Sequence, residues 1–225
     1  MKKSIRIVGL LIIMVITGCT KEIEKTSLVE RGGLMCEQNS SKGFTGVVIS
    51  THENGEREHD CPYKNGKKDG IERWWYESGA LESEYTYSQG NLNGAYLRWF
   101  NNGKPKLVST YVDGELDGVY KSWSGAHQEK EYSYFLGELV GKYLSWYNGN
   151  PQIIANYDEN GLLHGEYSLW TYYPNSYPLE HKYEKGVFES GRKVGNWIYK
   201  DLSGQQVSFA IYESIKKGTD DFRFN

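Results

Sequence analysis

Hydrophobic residues are arranged in two different ways along the chain. Residues 7–16 (IVGLLIIMVI) form one unbroken apolar run close to the N-terminus. Farther along, apolar residues occur in short aromatic-rich stretches such as AYLRWF (95–100) and KYLSWY (142–147), bounded by glycine. Short stretches of this kind are typical of β-strands separated by tight turns, and they show no helical period. The pattern therefore predicts an N-terminal signal helix followed by an all-β chain.

An internal repeat of about 24 residues organises most of the chain. Its signature is Tyr-x-x-Gly-x-x-x-Gly, as in YSQGNLNG (87–94) and YVDGELDG (111–118). A tryptophan follows the second glycine by five residues, and in most copies another aromatic residue follows it by two. The second glycines are Gly70, Gly94, Gly118, Gly141, Gly165 and Gly195. The plus-five tryptophans are Trp75, Trp99, Trp123, Trp146 and Trp170, and the plus-two tyrosines are Tyr96, Tyr120, Tyr143 and Tyr167.

Each repeat is predicted to form one β-hairpin. Asn-Gly and Ser-Gly pairs, such as Asn102-Gly103, follow the aromatic strand and suit the positive φ of hairpin turns. The plus-two and plus-five positions differ in parity, so their side chains should lie on opposite faces. Residues 44–204 are therefore predicted to form an elongated antiparallel meander of about seven hairpins, in a single open sheet. Within residues 205–225, the alternation in VSFAIY (207–212) predicts a closing strand that caps the array before a polar tail.

The repeat resembles the bacterial variant of the MORN repeat (membrane occupation and recognition nexus). The similarity rests on the tyrosine and glycine signature, the following aromatic strand and the spacing, and it covers residues 44–204. The pattern departs from the family where the turn glycine of one copy shifts to Gly125, and at an insertion within residues 172–186. The resemblance implies a β-hairpin array, and bacterial proteins built on this repeat are often named antitoxin components.

The N-terminus has the organisation of an export signal. Three positive charges in the first six residues precede the apolar run, and small residues follow it. The tetrapeptide ITGC (16–19) resembles the lipobox of bacterial lipoproteins, which implies removal of residues 1–18 and acylation of Cys19. Lipid chains there would bury many methylene groups, at roughly 0.8 kcal/mol each, and anchor the protein to a membrane. The alternatives are a cysteine that ends an ordinary signal and a retained membrane span.

Two further expectations concern the region after the lipobox. Residues 19–43 are expected to form a polar tether between the lipid and the array. The residue after the cysteine is Thr20 and not aspartate. In lipoproteins with such a motif this difference favours the outer membrane over the inner membrane, and we expect outer-membrane attachment.

The mature chain is mildly acidic. The full sequence has 26 basic and 29 acidic residues, and three of the basic residues lie in residues 1–18, so 23 remain against 29. This balance argues against nucleic acid and against anionic lipid headgroups as ligands. The expected partners are a membrane, through the lipid anchor, and another protein.

Side chains that could carry chemistry are sparse in the sequence. Cys36 and Cys61 could form a disulfide in an oxidising compartment or remain two free thiols. The five histidines are scattered without the spacing of a zinc site, and neither a P-loop nor a nucleophile elbow is present. The sequence therefore predicts a protein with no catalytic residues, no cofactor and no metal site.

The sequence favours a binding function. The plus-two tyrosines are candidates for partner contacts, while the plus-five tryptophans are expected to stabilise the sheet. The insertion Pro174–Pro178 is either a binding loop or a tolerated surface bulge. The leading hypothesis is a lipid-anchored, non-catalytic binding or scaffold module of the cell envelope. The alternative, implied by the MORN resemblance, is an antitoxin or immunity-type inhibitor of a toxin partner.

Overall fold

Strands dominate the part of the chain that the structure describes. The computed structural model describes residues 20–125, 127–172 and 181–216. The strands are β1 Glu22–Glu24, β2 Leu28–Arg31, β3 Leu34–Glu37, β4 Gly46–Thr51, β5 Arg57–Lys64, β6 Lys67–Lys68, β7 Gly70–Trp75, β8 Leu81–Ser88, β9 Asn91–Trp99, β10 Pro105–Val112, β11 Glu115–Leu116, β12 Gly118–Ser124, β13 His127–Phe135, β14 Glu138–Tyr147, β15 Asn150–Tyr157, β16 Gly165–Tyr172, β17 His181–Glu189, β18 Arg192–Lys200 and β19 Gln206–Val207. A 3-10 turn (Lys25–Ser27) and one helix, α1 (Phe209–Lys216), complete the regular structure of these residues. No helix in the three ranges is long and apolar enough to cross a membrane.

Consecutive strands lie side by side in one large sheet. From β4 to β19 the chain forms successive antiparallel hairpins, in which β5 pairs with both β6 and β7, and β10 with both β11 and β12. β1 extends the sheet by parallel pairing with β4, whereas β2 and β3 form a separate hairpin. This arrangement confirms the all-β meander of hairpins that the repeat predicts.

The glycines of the signature make the turns between strands. In the first copy Asn65 and Gly66 both have positive φ (51° and 83°), as a two-residue hairpin turn requires. The second glycine is needed for space as well. Gly118 has φ +99°, and a Cβ atom there would lie 2.6 Å from Thr110 Oγ1. Only glycine fits such a position without strain, which explains its recurrence through the repeat.

Neighbouring repeats are joined by a recurring backbone hydrogen bond. The amide of Gly90 donates to the carbonyl of Lys68, and the amide of Gly114 donates to the carbonyl of Leu92, both at 2.8 Å. The same bond forms in the next copy. These bonds place the Tyr-x-x-Gly turns next to one another along one edge of the sheet.

A β-bulge beside the tryptophan accompanies most hairpins. Trp99 pairs with Pro105 and Arg98 pairs with Leu107, so Lys106 is the extra residue of the bulge. The same shift occurs beside Trp75, Trp123 and Trp146. The extra residue lies on the return strand, so the alternation of the tryptophan strand is preserved. The plus-two and plus-five side chains therefore lie on opposite faces, as predicted.

Residues 20–43 are folded against the sheet and do not form the expected polar tether. β1 joins the sheet at β4, and the β2–β3 hairpin closes over the same end. Leu28, Phe44 and Val48 form a buried apolar core there, with Met35 packed against it. Burial of this apolar surface offsets the conformational entropy that a free tether would keep. We call residues 20–45 the N-terminal cap.

The C-terminal end also differs from its prediction. The closing strand expected over residues 207–212 is limited to β19, and the chain continues as helix α1. The helix begins after Ser208, whose Oγ accepts a hydrogen bond of 3.4 Å from the amide of Ile211. Serine is a favoured residue at such a position because its oxygen satisfies an otherwise unpaired amide of the first turn.

Helix α1 packs on the last long strand of the sheet. The rings of Phe209 and Tyr212 lie 5.2 and 5.1 Å from the ring of Tyr199, which belongs to β18. In a strand these two residues would point to opposite faces, because their positions differ in parity. A helix places both on one side, so the aromatic contacts with Tyr199 favour the helix over the strand.

Candidate functional site

One face of the sheet carries a row of tyrosines. Strand pairing sets Tyr85 directly opposite Tyr96, and Tyr132 directly opposite both Tyr120 and Tyr143. Directly paired residues share a face, so the plus-two tyrosines and those of the intervening strands lie together. We call this surface the tyrosine face. Its tyrosines are Tyr85, Tyr87, Tyr96, Tyr111, Tyr120, Tyr132, Tyr134, Tyr143, Tyr157 and Tyr167.

The rings of the tyrosine face stack on one another across the strands. The ring of Tyr132 lies 4.4 Å from that of Tyr143 and 5.6 Å from that of Tyr120, with interplanar angles of 18° and 13°. Tyr85 and Tyr96 stack at 4.3 Å. Aromatic pairs of this kind contribute about 0.5–1.5 kcal/mol each beyond the area they bury. The stacks therefore hold the rings in fixed positions.

Small residues lie between the tyrosines and are covered by them. Tyr96 pairs with Ser109 and Tyr143 pairs with Ala155, and both small residues are only 1% exposed. The tyrosines themselves are half-buried. Each ring thus covers a small neighbour while leaving part of its own surface open to solvent.

The hydroxyl groups of Tyr96 and Tyr167 on the tyrosine face stay protonated at physiological pH. Burial raises the pKa of Tyr96 to about 12, with a further contribution from the hydrogen-bonded hydroxyl of Tyr85. Burial also raises the pKa of Tyr167 to about 12. A neutral phenol can both donate and accept a hydrogen bond. The surface thus combines flat apolar rings with uncharged polar groups.

Both ends of the tyrosine face are covered by other parts of the chain. At one end Phe44 of the N-terminal cap contacts Tyr63, with ring centroids 6.4 Å apart. At the other end helix α1 packs on Tyr199, two residues after Trp197, and the ring of Trp197 contacts Tyr167. The tyrosines between these two covers form the accessible part of the face.

The opposite face carries the five plus-five tryptophans. All five are half-buried, so they are not residues of a closed core, and their expected role in stability remains a prediction. Ion pairs lie between them, with Arg73 Nε 2.7 Å from Glu84 Oε1 and Lys121 Nζ 3.1 Å from Glu131 Oε2. This face mixes charged and aromatic side chains, whereas tyrosine is the residue that recurs along the tyrosine face.

A buried polar cluster interrupts the tyrosine face near the N-terminal cap. Glu72 Oε1 lies 2.8 Å from His59 Nε2, and Lys68 Nζ lies 2.7 and 2.8 Å from the two carboxylate oxygens. The thiol of Cys61 lies beside the same carboxylate, because the donor atoms of His59, Cys61 and Glu72 are all within 4.8 Å of one another. We call His59, Cys61, Lys68 and Glu72 the Glu72 cluster.

The charges in the Glu72 cluster follow from burial and hydrogen bonding. Burial alone would raise the pKa of Glu72, but the hydrogen bonds from His59 and Lys68 outweigh it, and the pKa lies below its ordinary value of 4.5. Burial, reinforced by the negative charge of Glu72, raises the pKa of Cys61 to about 12. The carboxyl group is therefore ionised at neutral pH and the thiol is protonated.

Cys36 and Cys61, considered above as a disulfide or as two free thiols, are free thiols in the structure. Both are buried, but each sulfur atom has its own surroundings. Cys36 Sγ lies 3.7 Å from the carbonyl oxygen of Leu34, and Cys61 Sγ lies against Glu72 and 3.9 Å from the carbonyl oxygen of Pro62. A disulfide needs the two sulfur atoms about 2.0 Å apart.

Sequence reasoning missed the Glu72 cluster because its members come from different strands. The search for metal or catalytic sites used spacing along the chain, whereas this cluster depends on the pairing of β5 with β7. A signal was present in the repeat itself. Glu72 occupies the plus-two position, where the next copies have Tyr96 and Tyr120.

Two predicted features lie outside the residues that the structure describes. Cys19, the expected site of acylation, precedes the described range, and the insertion Pro174–Pro178 lies between two described ranges. Comparison of the chain with models of known protein families gives no match. Comparison with curated proteins gives no match either.

Proposed function

We propose that the protein is a non-catalytic binding module of a bacterial cell envelope, anchored by lipid on Cys19, that uses the tyrosine face to bind a protein partner. The observation that carries this proposal is the row of stacked, half-exposed tyrosines across consecutive repeats. Tyrosine is enriched in binding surfaces because it buries a large area with few rotatable bonds. Stacked rings lose even less conformational entropy when a partner binds.

The fold of the N-terminal cap determines where the anchor would hold the sheet. β1 begins at Glu22, so only Thr20 and Lys21 separate it from Cys19. Three residue steps span at most about 10 Å. Lipid on Cys19 would therefore hold the sheet close to the membrane surface and not at the end of a long tether.

Acylation is tested at Cys19 itself. We expect Cys19→Ala to abolish incorporation of labelled fatty acid and to leave a precursor that keeps residues 1–18, because the thiol is the site of the first lipid. Mass spectrometry of the wild-type N-terminus should identify modified Cys19 as the first residue. A mature wild-type N-terminus at another position would contradict the proposal.

The binding surface is tested with two matched double variants. Tyr120→Leu with Tyr143→Leu removes two rings from the tyrosine face, and Trp123→Leu with Trp146→Leu removes two rings from the opposite face of the same strands. Each double variant should lower the free energy of unfolding by a similar amount, about 1–3 kcal/mol. Capture of partners from envelope extracts should fall at least about tenfold for the tyrosine pair only, as expected for hot-spot residues. Equal capture by both double variants would contradict a role for the tyrosine face.

A second candidate function is inhibition of a single protein partner such as a toxin. It is favoured by an apolar turn in the middle of the array, where Phe135 is 62% exposed and Leu136 is 52% exposed. Leu136 adopts φ 47°, a conformation that costs energy for a side chain of this type. The turns of other copies have polar residues at this position, namely Asn65, Gln89, Asp113 and Ser190.

Acidic side chains surround this apolar turn. Glu138 follows it directly, and Asp113 and Glu115 belong to the adjacent turn. Such a surface fits a basic protein with an apolar pocket. If the protein inhibits one toxin, the same capture experiment should yield one stoichiometric basic partner, and its capture should be lost with Phe135→Ala and retained by the tyrosine pair.

A further inference from the structure

The first repeat differs from the second at three neighbouring positions of the tyrosine face. His59, Cys61 and Glu72 stand where the second copy has Ser83, Tyr85 and Tyr96. In the second copy the two tyrosines stack on each other at 4.3 Å. The first copy thus lacks a stacking pair and has a histidine, a thiol and a carboxylate in its place.

These three side chains converge although they come from two strands. His59 and Cys61 are separated by one residue on β5, so they share a face, and Glu72 lies on the adjacent strand β7. One donor atom from each residue lies within 4.8 Å of the others. All three residues are buried, at 7%, 1% and 4% exposure of the whole residue. The sheet therefore holds them together in advance of any ligand.

The donor set suits a borderline transition metal ion. Imidazole nitrogen, thiolate sulfur and carboxylate oxygen are the three ligand types that Zn²⁺ uses in proteins. Donors at Zn²⁺ distances of 2.0–2.3 Å in a tetrahedral site are roughly 3.3–3.8 Å apart, so no pair has to close by more than about 1.5 Å. Three protein ligands leave a fourth position for water or for a ligand.

The ammonium group of Lys68 lies where a bound metal ion would have to approach the carboxylate of Glu72. This ammonium group contacts both oxygens of Glu72 and lies 4.6 Å from the ring centroid of Tyr87. The lysine side chain is 30% exposed, whereas that of Glu72 is 5% exposed. Lysine has a flexible stem, so its ammonium group can rotate into solvent and leave the carboxylate to another cation.

We propose that His59, Cys61 and Glu72 form a binding site for one Zn²⁺ ion or a divalent transition metal ion of similar size. On binding, the Cys61 thiol releases its proton to solvent and becomes a thiolate ligand, while Lys68 turns outward with its charge retained. The ion joins β5 to β7 beside the N-terminal cap. The alternative is a hydrogen-bonded network that binds no metal.

The test uses Co²⁺ as a spectroscopic substitute for Zn²⁺. The full chain with Cys19→Ala and Cys36→Ser, purified in detergent, keeps Cys61 as its single thiol. We expect one equivalent of Co²⁺ to produce a thiolate-to-metal charge-transfer band that Zn²⁺ abolishes. Because one thiol remains, the band assigns Cys61 as a ligand even if Cys61→Ser fails to fold. Glu72→Gln in this background should weaken Co²⁺ binding by at least the roughly 10- to 100-fold that loss of an outer-shell partner costs.

The Lys68→Ala variant distinguishes a metal-binding site from a hydrogen-bonded network that binds no metal. Removal of the competing ammonium group should tighten Co²⁺ binding, by about tenfold or more, if the ion takes its position. Binding that is unchanged or weaker in Lys68→Ala would overturn the proposed exchange. Absence of the charge-transfer band in both the single-thiol chain and its Lys68→Ala variant would overturn the metal site.

Discussion

Phe44→Ala is expected to lower the free energy of unfolding by about 3–5 kcal/mol, the usual cost of truncating a buried aromatic residue. Phe44 is 3% exposed and packs with Leu28 and Val48 in the core beneath the N-terminal cap. Leu28 lies on β2 and Val48 on β4, so the backbone on the two sides of the Phe44 ring is held in place by different strands. A cavity left by the ring can therefore collapse only in part. Urea denaturation of the variant and the wild type measures the difference.

The matched control for this prediction is Phe135→Ala. It removes the same side chain from an exposed turn, where the phenylalanine is 62% exposed. Its effect on the free energy of unfolding should be within about 0.5 kcal/mol. A loss for Phe44→Ala that is also within about 0.5 kcal/mol would contradict a stabilising role for the N-terminal cap.

The sheet could be predicted from the sequence because its determinants are local and repeated. The second glycine is needed in every copy because its φ is positive, and in copies such as that of Gly118 a Cβ atom would also lack space. The plus-two and plus-five aromatics fix which residues share a face, since alternation along a strand needs no knowledge of distant contacts. Because the same signature recurs in each copy, the strands and turns predicted for one copy are predicted for its neighbours as well.

The N-terminal cap could not be predicted because its structure depends on distant partners. β1 has only three residues, and its pairing with β4 lies more than 20 residues away along the chain. The core contains few apolar side chains from the cap itself, chiefly Leu28 and Phe44. A short polar segment of this composition resembles a linker until its contacts with the sheet are known.

The C-terminal helix was missed because two periodicities compete within one short segment. Val207, Phe209 and Ile211 alternate as in a strand, whereas Phe209 and Tyr212 have the spacing of a helix. Ser208 was a local signal for a helix start. Tertiary contact with Tyr199 then favours the helix, and sequence periodicity does not contain that contact.

In the candidate site, too, the features set by local spacing could be predicted and those set by distant strand pairing could not. The spacing of the tyrosines predicts their shared face, but the stacking of Tyr132 between Tyr120 and Tyr143 requires the cross-strand register. The Glu72 cluster requires that register even more, since Glu72 meets His59 only through the pairing of β5 with β7. Departures from a repeat consensus at neighbouring positions are therefore a useful guide to such clusters.

Neutralising Glu72 is expected to lower the free energy of unfolding and to remove the part of its pH dependence that comes from this carboxyl group. Glu72→Gln should cost about 3 kcal/mol at pH 7, the lower end of the range for removing one member of a buried ion pair, because Lys68 is partly exposed. The groups that face this carboxyl are His59, Lys68, Cys61 and Tyr87. The glutamine keeps the shape of the side chain, so the loss should reflect charge and hydrogen bonding.

The pH dependence of this loss follows from the direction of the pKa shift. The pKa of folded Glu72 lies below the ordinary value of 4.5, so the folded state favours the charged form. The stabilisation is therefore complete above pH 4.5 and is lost as the pH falls through the lower pKa of the folded state. Thermal denaturation with a chelator present should show wild type and Glu72→Gln converging below pH 4.5, while Glu53→Gln, at an exposed position, matches the wild type. A constant difference between wild type and Glu72→Gln down to strongly acidic pH would contradict a stabilisation that depends on the charge of Glu72.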